Sequence, residues 1–370
     1  MSELFSLLTV ILAAVVVSFA LAVPIIDILY KLKIVRGLDV DFSAVIDSRK
    51  SKAGTPVMGG LIIVFSFIIL NLAFNFNSAT KIPLIVFFVS ALLGGLDDVL
   101  NIYGIARKVR PLNRINKLIQ VHSSKFERLK LIITYPWQLY KNFFYMLGSN
   151  PGKGLFPHEK ILINTLAGLA VAIWTFKFAG WVNPGTLFFP LGLSIDIGWA
   201  IIPVAILTVL VVTNAVNIAD GLDGLSAGML LPAFLSFMAI AYLKQDWPIV
   251  YMCGIAIGGI IAYLYFNIPP ARVQMGDVGS LSLGTLLAVV ALQLRLPFLL
   301  LIIGLPFILE FGSSLLQGVS RRVLGKRILL MAPLHHHLEL KGWKEEKVVM
   351  RFWLFSVICA ILGIWVYLLY

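Results

Sequence analysis

Ten apolar runs, each near the length of a bilayer-crossing helix, leave this chain few folds to choose from. They lie near residues 4–26, 57–76, 82–99, 161–180, 199–217, 225–243, 249–266, 280–294, 297–319 and 352–370. A hydrocarbon core takes roughly 20 helical residues to cross. Lipid offers the backbone no hydrogen-bond partner, so such runs fold as helices that satisfy their own N–H and C=O groups. The expectation is an all-α, polytopic integral membrane protein of about ten transmembrane helices. Composition agrees, with 59% hydrophobic residues, 13% charged residues and a mean hydropathy of +0.94, against about 45–50% apolar and 25% charged in soluble domains. A single transmembrane domain over residues 1–370 is expected, with no tandem repeat and no soluble catalytic domain. The first run has no basic n-region and no A-x-A site, so it reads as a retained span. Cys253 and Cys359 sit inside apolar runs, where a thiol is a small hydrophobe, not a disulfide or metal ligand.

Lys and Arg orient the bundle. With ten spans, 26 of the 30 basic residues fall in the loops of one side, leaving Lys81, Lys177, Lys244 and Arg295 on the other. Cytoplasmic loops carry the positive excess, which puts both termini outside. The net charge of +12 then belongs to a cytoplasmic face that attracts anionic lipid and anionic substrates, and nucleic acid is not an expected partner. The longest polar stretch is a basic insertion at about 105–153. It carries ten basic residues from Arg107 to Lys153 and one acid, Glu127, interleaved with Leu, Ile, Tyr, Trp and Phe. Such a segment suits an anionic headgroup surface, the alternatives being a docking insertion or disorder. Residues 181–198 lack Lys and Arg and contain Asn183, Pro184 and Gly185, which suit a short outward-facing hairpin or loop.

Three acidic strings end apolar runs on the cytoplasmic side: GGLDD with Asp97 and Asp98, NIADGLDG with Asp220 and Asp223, and MGDVGS with Asp277. An ionised carboxylate at the middle of a membrane helix costs about 2.5 to 3.5 kcal/mol, so these groups need a wet, partnered place, and one shared cytoplasmic cleft would provide it. Adjacent residues on a helix diverge by about 100 degrees, so Asp97 and Asp98 are expected to do different jobs; the bland reading is that they merely stop a span. Asn214, Asn217, Asp220 and Asp223 recur every third residue beside Gly221 and Gly224. Glycines there would break the helix and expose backbone donors suited to phosphate or nucleotide, although an Asx-rich turn is also possible. Asp277 lies between glycines just before a span, where it is either functional or a helix cap, a job Ser280 is able to do instead.

The string APLHHHLELK places His335, His336, His337 and Glu339 together in a chain of five histidines. Three consecutive histidines cannot all face one ion from a regular helix, so a loop after Pro333 is expected, not a three-histidine zinc site. Lys52 precedes the second span, where its point charge would suit a diphosphate. Glu310 and Gln317 lie two turns apart in a predicted span, fit for packing or for chemistry.

Taken together these strings resemble the polyprenyl-phosphate N-acetylhexosamine-1-phosphate transferases, of glycosyltransferase 4 type. The triple histidine of APLHHHLELKGW points to the phospho-N-acetylmuramoyl-pentapeptide transferase branch. The resemblance runs from about residue 24 to the C-terminus, apart from the basic insertion. It implies a bacterial cytoplasmic (inner) membrane enzyme of peptidoglycan synthesis with Mg2+ as cofactor. The implied reaction moves phospho-MurNAc-pentapeptide from UDP-MurNAc-pentapeptide to undecaprenyl phosphate, giving lipid I and UMP. Carried over by position, it implies Asp277 as the metal ligand and Asp97 and Asp98 as the paired aspartates, the first acting on the lipid phosphate. Asn214, Asn217, Asp220 and Asp223 fall in the nucleotide region, Lys52 is a cationic position near the nucleotide, and His335, His336 and His337 lie beside the active site. GLFPHEKILIN makes Lys160 the counterpart of a functional lysine. A homodimer is a family expectation. Three positions depart from the pattern: Asn164 where Gln is expected, Arg49 where a histidine is usual, and Gln274 where an aromatic commonly stacks near the uracil. A sibling enzyme using UDP-GlcNAc would share every acid string. A secondary transporter would place its carboxylates near mid-membrane.

Overall fold

A computed structural model of the chain describes residues 2–36, 52–105, 109–147, 153–177, 185–189 and 193–369. Apolar composition drives the helices, in order α1 (Ser2–Lys31), α2 (Leu61–Phe74), α3 (Lys81–Tyr103), α4 (Leu112–Val121), α5 (Lys125–Ile133), α6 (Tyr135–Leu147) and α7 (Pro157–Lys177). A two-stranded antiparallel hairpin follows, β1 (Thr186–Phe189) with β2 (Leu193–Asp196), in register Thr186 to Asp196. Then come α8 (Ile201–Ala219), α9 (Leu225–Leu243), α10 (Trp247–Asn267), α11 (Gly276–Gln293), α12 (Leu300–Ile303), α13 (Leu305–Val323), α14 (Leu334–Leu340) and α15 (Glu345–Tyr367).

Among the described residues eight helices are long and apolar enough to cross a membrane, and α12 with its preceding 3-10 turn pairs with α13 as a ninth, bent by 85°. Gly304 ends α12, and Pro306 sits at the start of α13, where its missing N–H costs nothing. The tenth apolar run is shorter than expected. Helix α2 has 14 residues, about 21 Å at 1.5 Å per residue, because Pro56–Gly60 is spent on backbone bonds to residues 274 and 275: Gln274 N–H donates to Pro56 O, Gly59 N–H to Gln274 O and Gly60 N–H to Met275 O. The hairpin falls inside the 181–198 stretch, where Phe188 N–H donates to Arg295 O and Lys244 Nζ lies 4.8 Å from the Phe188 ring. Thus two of the four basic residues set apart by sequence lie together beside it.

Helix α11 is the hub, buried along almost its whole length and packed chiefly on α3 and α8. Lipid tails are as apolar as Leu, so membrane helices associate by close packing of small residues and by hydroxyl bonds. Both are present. Gly94 of α3 lies against the Asp277 backbone, Gly60 against Gly279, and Gly284 against the Thr213 backbone. Thr285 Oγ1 donates to Ser90 Oγ at 3.0 Å and lies 3.0 Å from Thr213 Oγ1, linking α3, α11 and α8 through hydroxyls. Helix α10 packs on α1 and α9, and α9 on α15.

These contacts fix where α3 delivers its two aspartates. A methyl at Gly94 would land on the Asp277 carbonyl, whereas one at Gly95 would first meet the flexible end of Met58 at 3.4 Å. Gly94→Ala should destabilise by about 1 to 3 kcal/mol through overpacking, lowering the apparent Tm in detergent, while Gly95→Ala should leave it near the parent value. Equal Tm values for the two variants would contradict this crossing.

Candidate active site

The ends of α3, α7, α8 and α11 meet in a polar cluster. Lys160, on the first turn of α7, places Nζ 2.6 Å from Asp97 Oδ2 and 2.6 Å from Asp277 Oδ2. Its side chain is about one-fifth exposed, while that of Asp97 is buried. Asp97 Oδ1 accepts the Leu155 N–H at 2.5 Å, and Asp97 Oδ2 accepts Asn101 Nδ2 at 3.3 Å. Asn217 Nδ2, from the last turn of α8, donates to Asp277 Oδ1 at 2.8 Å and to Ser280 Oγ at 2.9 Å. A lysine shared by two carboxylates supplies the charge partner that either acid alone would lack in a membrane protein's interior.

Asp98 does something else. Its Oδ1 accepts Asp277 N–H at 3.0 Å and its Oδ2 accepts Val278 N–H at 3.1 Å, so one carboxylate satisfies two free donors at the start of α11. The divergence of adjacent helical positions thus separates a carboxylate facing the lysine from one that fixes a helix end. The Ser280 cap expected from sequence is not formed. Ser280 lies inside α11, donates to Gly276 O and accepts from Asn217, and Asp98 caps the helix from α3.

Beyond α8 the chain turns through Asp220–Gly224 into α9, with Gly224 at φ +75°, in the left-handed region that glycine enters without strain. Two backbone donors of this turn are taken by side chains: Gly224 N–H bonds Asn267 Oδ1 at 2.9 Å, and Asp223 N–H bonds Glu345 Oε1 at 2.8 Å. Lys52 is buried and clasped by Asp223 Oδ1 at 2.9 Å and Glu345 Oε1 at 2.5 Å, while Ala271 N–H donates to Asp223 Oδ2 at 3.1 Å. The charge of Lys52 is therefore met by two acids of the protein itself. Asp220 stands between clasp and slot. Burial and the facing carboxylates of Asp277 and Asp223 push it up to about 8 against the opposing pull of Arg36 and Lys52. Asn214 does not join the cluster, because its Nδ2 donates to Leu210 O of its own helix at 2.7 Å.

The histidine string is helical, not a loop. It forms α14, which starts after Pro333. His335 Nδ1 lies 2.8 Å from Glu310 Oε2, its backbone N–H donates to Glu310 Oε1 at 3.2 Å, and both side chains are buried. Its Nε2 is buried without a hydrogen-bond partner among the described residues and faces Gly221, where a side chain would run into it. His336 Nδ1 pairs with Glu339 at 2.6 Å, and His337 Nδ1 turns away to accept Leu330 N–H. Gln317 instead straps the 328–329 backbone, accepting from both N–H groups at 3.0 Å.

The described residues contain no group of three or more His, Cys, Asp or Glu side chains converging on one metal position. What converges is the carboxylate pair Asp97 and Asp277 around a positive charge. Mg2+ is commonly held by one or two carboxylates, with water and substrate phosphate completing its octahedron, so this oxygen pair suits the ion. The histidines, tied to Glu310, Glu339 and Leu330, do not face it.

Glu345, Asn267 and Arg36 escaped the sequence reading. Each acts through a partner far along the chain: Glu345 on Lys52, Asn267 on Gly224, and Arg36 Nη1 on Gln274 Oε1 at 3.2 Å. Only the position of Glu345 just before an apolar run hinted at it. Of the three departures, Arg49 lies outside the described residues, and Gln274 is the partner of Arg36. Asn164, one turn beyond Lys160, has both amide atoms buried without partners among the described residues.

The Asp220 proton has a measurable sign. The folded chain holds it up to about pH 8, whereas an unfolded aspartate releases it near pH 3.9, so stability falls as pH rises across that window. Asp220→Asn should raise the apparent Tm by an increment that grows from about pH 5 to about pH 8.5 and then levels off. An increment independent of pH would refute this reading.

The family model described as Glycosyl transferase family 4 matches residues 153–295, a stretch that includes Lys160, Asn217, Asp220, Asp223 and Asp277. The phospho-N-acetylmuramoyl-pentapeptide-transferase of Bacillus thuringiensis (strain Al Hakam) is 33% identical over 324 residues, 86% of this chain and 86% of that protein. The protein of that name from Bacillus anthracis (strain A0248) is 34% identical, with the same coverage. At that identity, and over that share of both chains, the protein belongs to the phospho-N-acetylmuramoyl-pentapeptide-transferase family.

Proposed function

We propose that the chain transfers phospho-MurNAc-pentapeptide from UDP-MurNAc-pentapeptide to undecaprenyl phosphate, releasing UMP and forming lipid I at the cytoplasmic face of a bacterial inner membrane. The observation that carries this reading is the Lys160 ammonium between Asp97 and Asp277, a slot built for charge neutralisation at the end of the helix bundle. Phosphoryl transfer asks a protein mainly for positioning and electrostatics. A phosphate oxygen of the lipid attacks the sugar-linked phosphorus, a new P–O bond forms, and the P–O bond to UMP breaks.

Lys160 draws the phosphates to the slot and offsets their charge. Asp97, held by the Leu155 N–H and by Lys160, accepts the proton of a singly ionised lipid phosphate; the second pKa of such a phosphate is near 6, so this step matters most in acid. Asp98 keeps the N-terminus of α11 in place, and with it Asp277. Mg2+, held by Asp277 with Asp97 across the slot, would act as a Lewis acid on the diphosphate oxygens. On the donor side, Asn217 orients Asp277, while the Asp220–Gly224 turn, the Lys52 clasp and His335 shape the wall for uridine and sugar. Asn214 stays bonded to its own helix, and His336 and His337 brace α14.

An apolar cleft of about 230 Å³, bordered by Val204, Leu207, Val211, Ala215, Leu301 and Phe307 among others, lies between α8 and the bent α12–α13 pair. It contains no acid or base and suits the isoprenoid tail better than the reacting groups. Substrate charge and substrate hydrocarbon thus have separate places.

The purified protein in detergent, given undecaprenyl phosphate and Mg2+, should release UMP from UDP-MurNAc-pentapeptide and not from UDP-GlcNAc. Release only from UDP-GlcNAc would make it the sibling activity, and release from neither would overturn the reading. Asp277→Ala should lower UMP release at least about 100-fold, in the range seen when an electrostatic stabiliser is removed. It should not recover at raised Mg2+, and near-normal turnover would take Asp277 out of the slot.

A further inference from the structure

Helices α4 to α6 lie in the basic insertion, which neither the reaction nor the family resemblance accounts for. No residue of α5 is buried. Phe126, Leu129 and Ile133, spaced by three and four residues, make one stripe and are 74%, 54% and 69% exposed. Lys125 and Lys130 flank the stripe and Arg128 lies on the opposite face, all exposed, and Glu127 is the one acid of the helix. Exposure of this order marks the lipid-facing residues of the adjoining spans, such as Leu96 of α3 and Leu166 of α7. The insertion leaves the bundle after Tyr103 and re-enters at Pro157, so both of its ends lie at the level where membrane meets water.

An amphipathic helix with an apolar stripe and basic flanks lies in the headgroup plane, apolar side down, and binds more firmly when the lipids are anionic. We propose that α5 docks the insertion on anionic phospholipid headgroups, and that α6 passes this anchorage on to Lys160. The second link is visible in the packing. Tyr140 Oη donates to His158 O at 3.2 Å, Trp137 stacks on Tyr140 with ring centroids 5.1 Å apart, and Trp137 meets the His158 ring edge-on at 5.8 Å. His158 lies two residues before Lys160 on the first turn of α7. A docked insertion holds that turn, and therefore the ammonium, against Asp97 and Asp277. The docking stands on its own, whereas its effect on turnover rests on the proposed role of Lys160.

The test uses the full chain in nanodiscs of phosphatidylcholine alone or with phosphatidylglycerol. Leu129→Cys and, as a control on the exposed polar face of α4, Asn116→Cys carry a nitrobenzoxadiazole label; the native Cys253 and Cys359 are buried. At position 129 the label should emit to the blue and be quenched by doxyl lipid when phosphatidylglycerol is present, and clearly less in phosphatidylcholine alone. The label at 116 should stay aqueous in both. Aqueous emission at 129 in both lipids would overturn the docking, as would a blue shift without doxyl quenching, which would assign the stripe to a protein partner. Equal quenching in both lipids would remove the anionic preference. The double variant Phe126→Glu with Ile133→Glu should lower UMP release several-fold in the phosphatidylglycerol discs and little in phosphatidylcholine. Unchanged release would overturn the coupling to Lys160, and a parent protein silent with every donor would sink the functional reading while leaving the fluorescence result standing.

Discussion

The cost of keeping carboxylates at the end of an apolar bundle is what the rest of the structure answers. Asp97 and Asp277 come from different helices and would repel each other, and Lys160 between them turns that repulsion into a tie. Removing one member of such a group leaves an uncompensated charge, which is far more costly than the group is worth as a whole. This explains the packing around it. Glycine on α3 and hydroxyls across α3, α11 and α8 hold the three helices close enough for one ammonium to reach both acids. Nearby carboxylates are likewise assigned: Asp98 to two backbone donors, Asp223 and Glu345 to Lys52, Glu310 to His335. Asp220 is the exception: burial, with the carboxylates of Asp277 and Asp223, outweighs the pull of Arg36 and Lys52, and it keeps its proton instead.

Two different kinds of order follow. On the slot side, charge is balanced by one partly exposed lysine at a helix start. On the donor side, the turn after α8 is stitched by fixed bonds from Asn267, Glu345 and Trp353, the last donating from Nε1 to Gly224 O at 2.9 Å. A preformed wall beside an adjustable charge suits a reaction that must hold a nucleotide rigidly and let a phosphoryl group pass.

The places of the membrane helices were legible because hydropathy is a local signal, although among the described residues eight helices, or nine with the bent pair, have spanning length where about ten were expected. Where the reading missed, the reason is tertiary. The run at 57–76 loses its first residues to backbone bonds with Gln274 and Met275, and the last apolar run begins seven residues later than the helix that contains it, since Glu345 at the head of that helix pairs with Lys52 and does not face lipid. Asp97 and Asp98 were separable by helical geometry alone, yet which of them would cap α11 depended on a helix 179 residues away in sequence. The histidine string was read as a loop because three imidazoles cannot share one ion; the structure keeps the helix and sends each ring to a different partner. Lys52 was visible as a lone cation, but its two acids, 171 and 293 residues further along, were not.

That last separation bears on how the protein is made. Spans enter the membrane in the order of their synthesis, and the clasp joins Lys52 on the approach to the second apolar run with Glu345 at the head of the final helix. Until that helix emerges, Lys52 and Asp223 have each other but not their third partner, and the Asp223 N–H has no carboxylate to receive it. A nascent or truncated chain ending before Glu345 therefore inserts most of its helices without closing the clasp around Lys52. The clasp is complete only once that final span has been made and inserted.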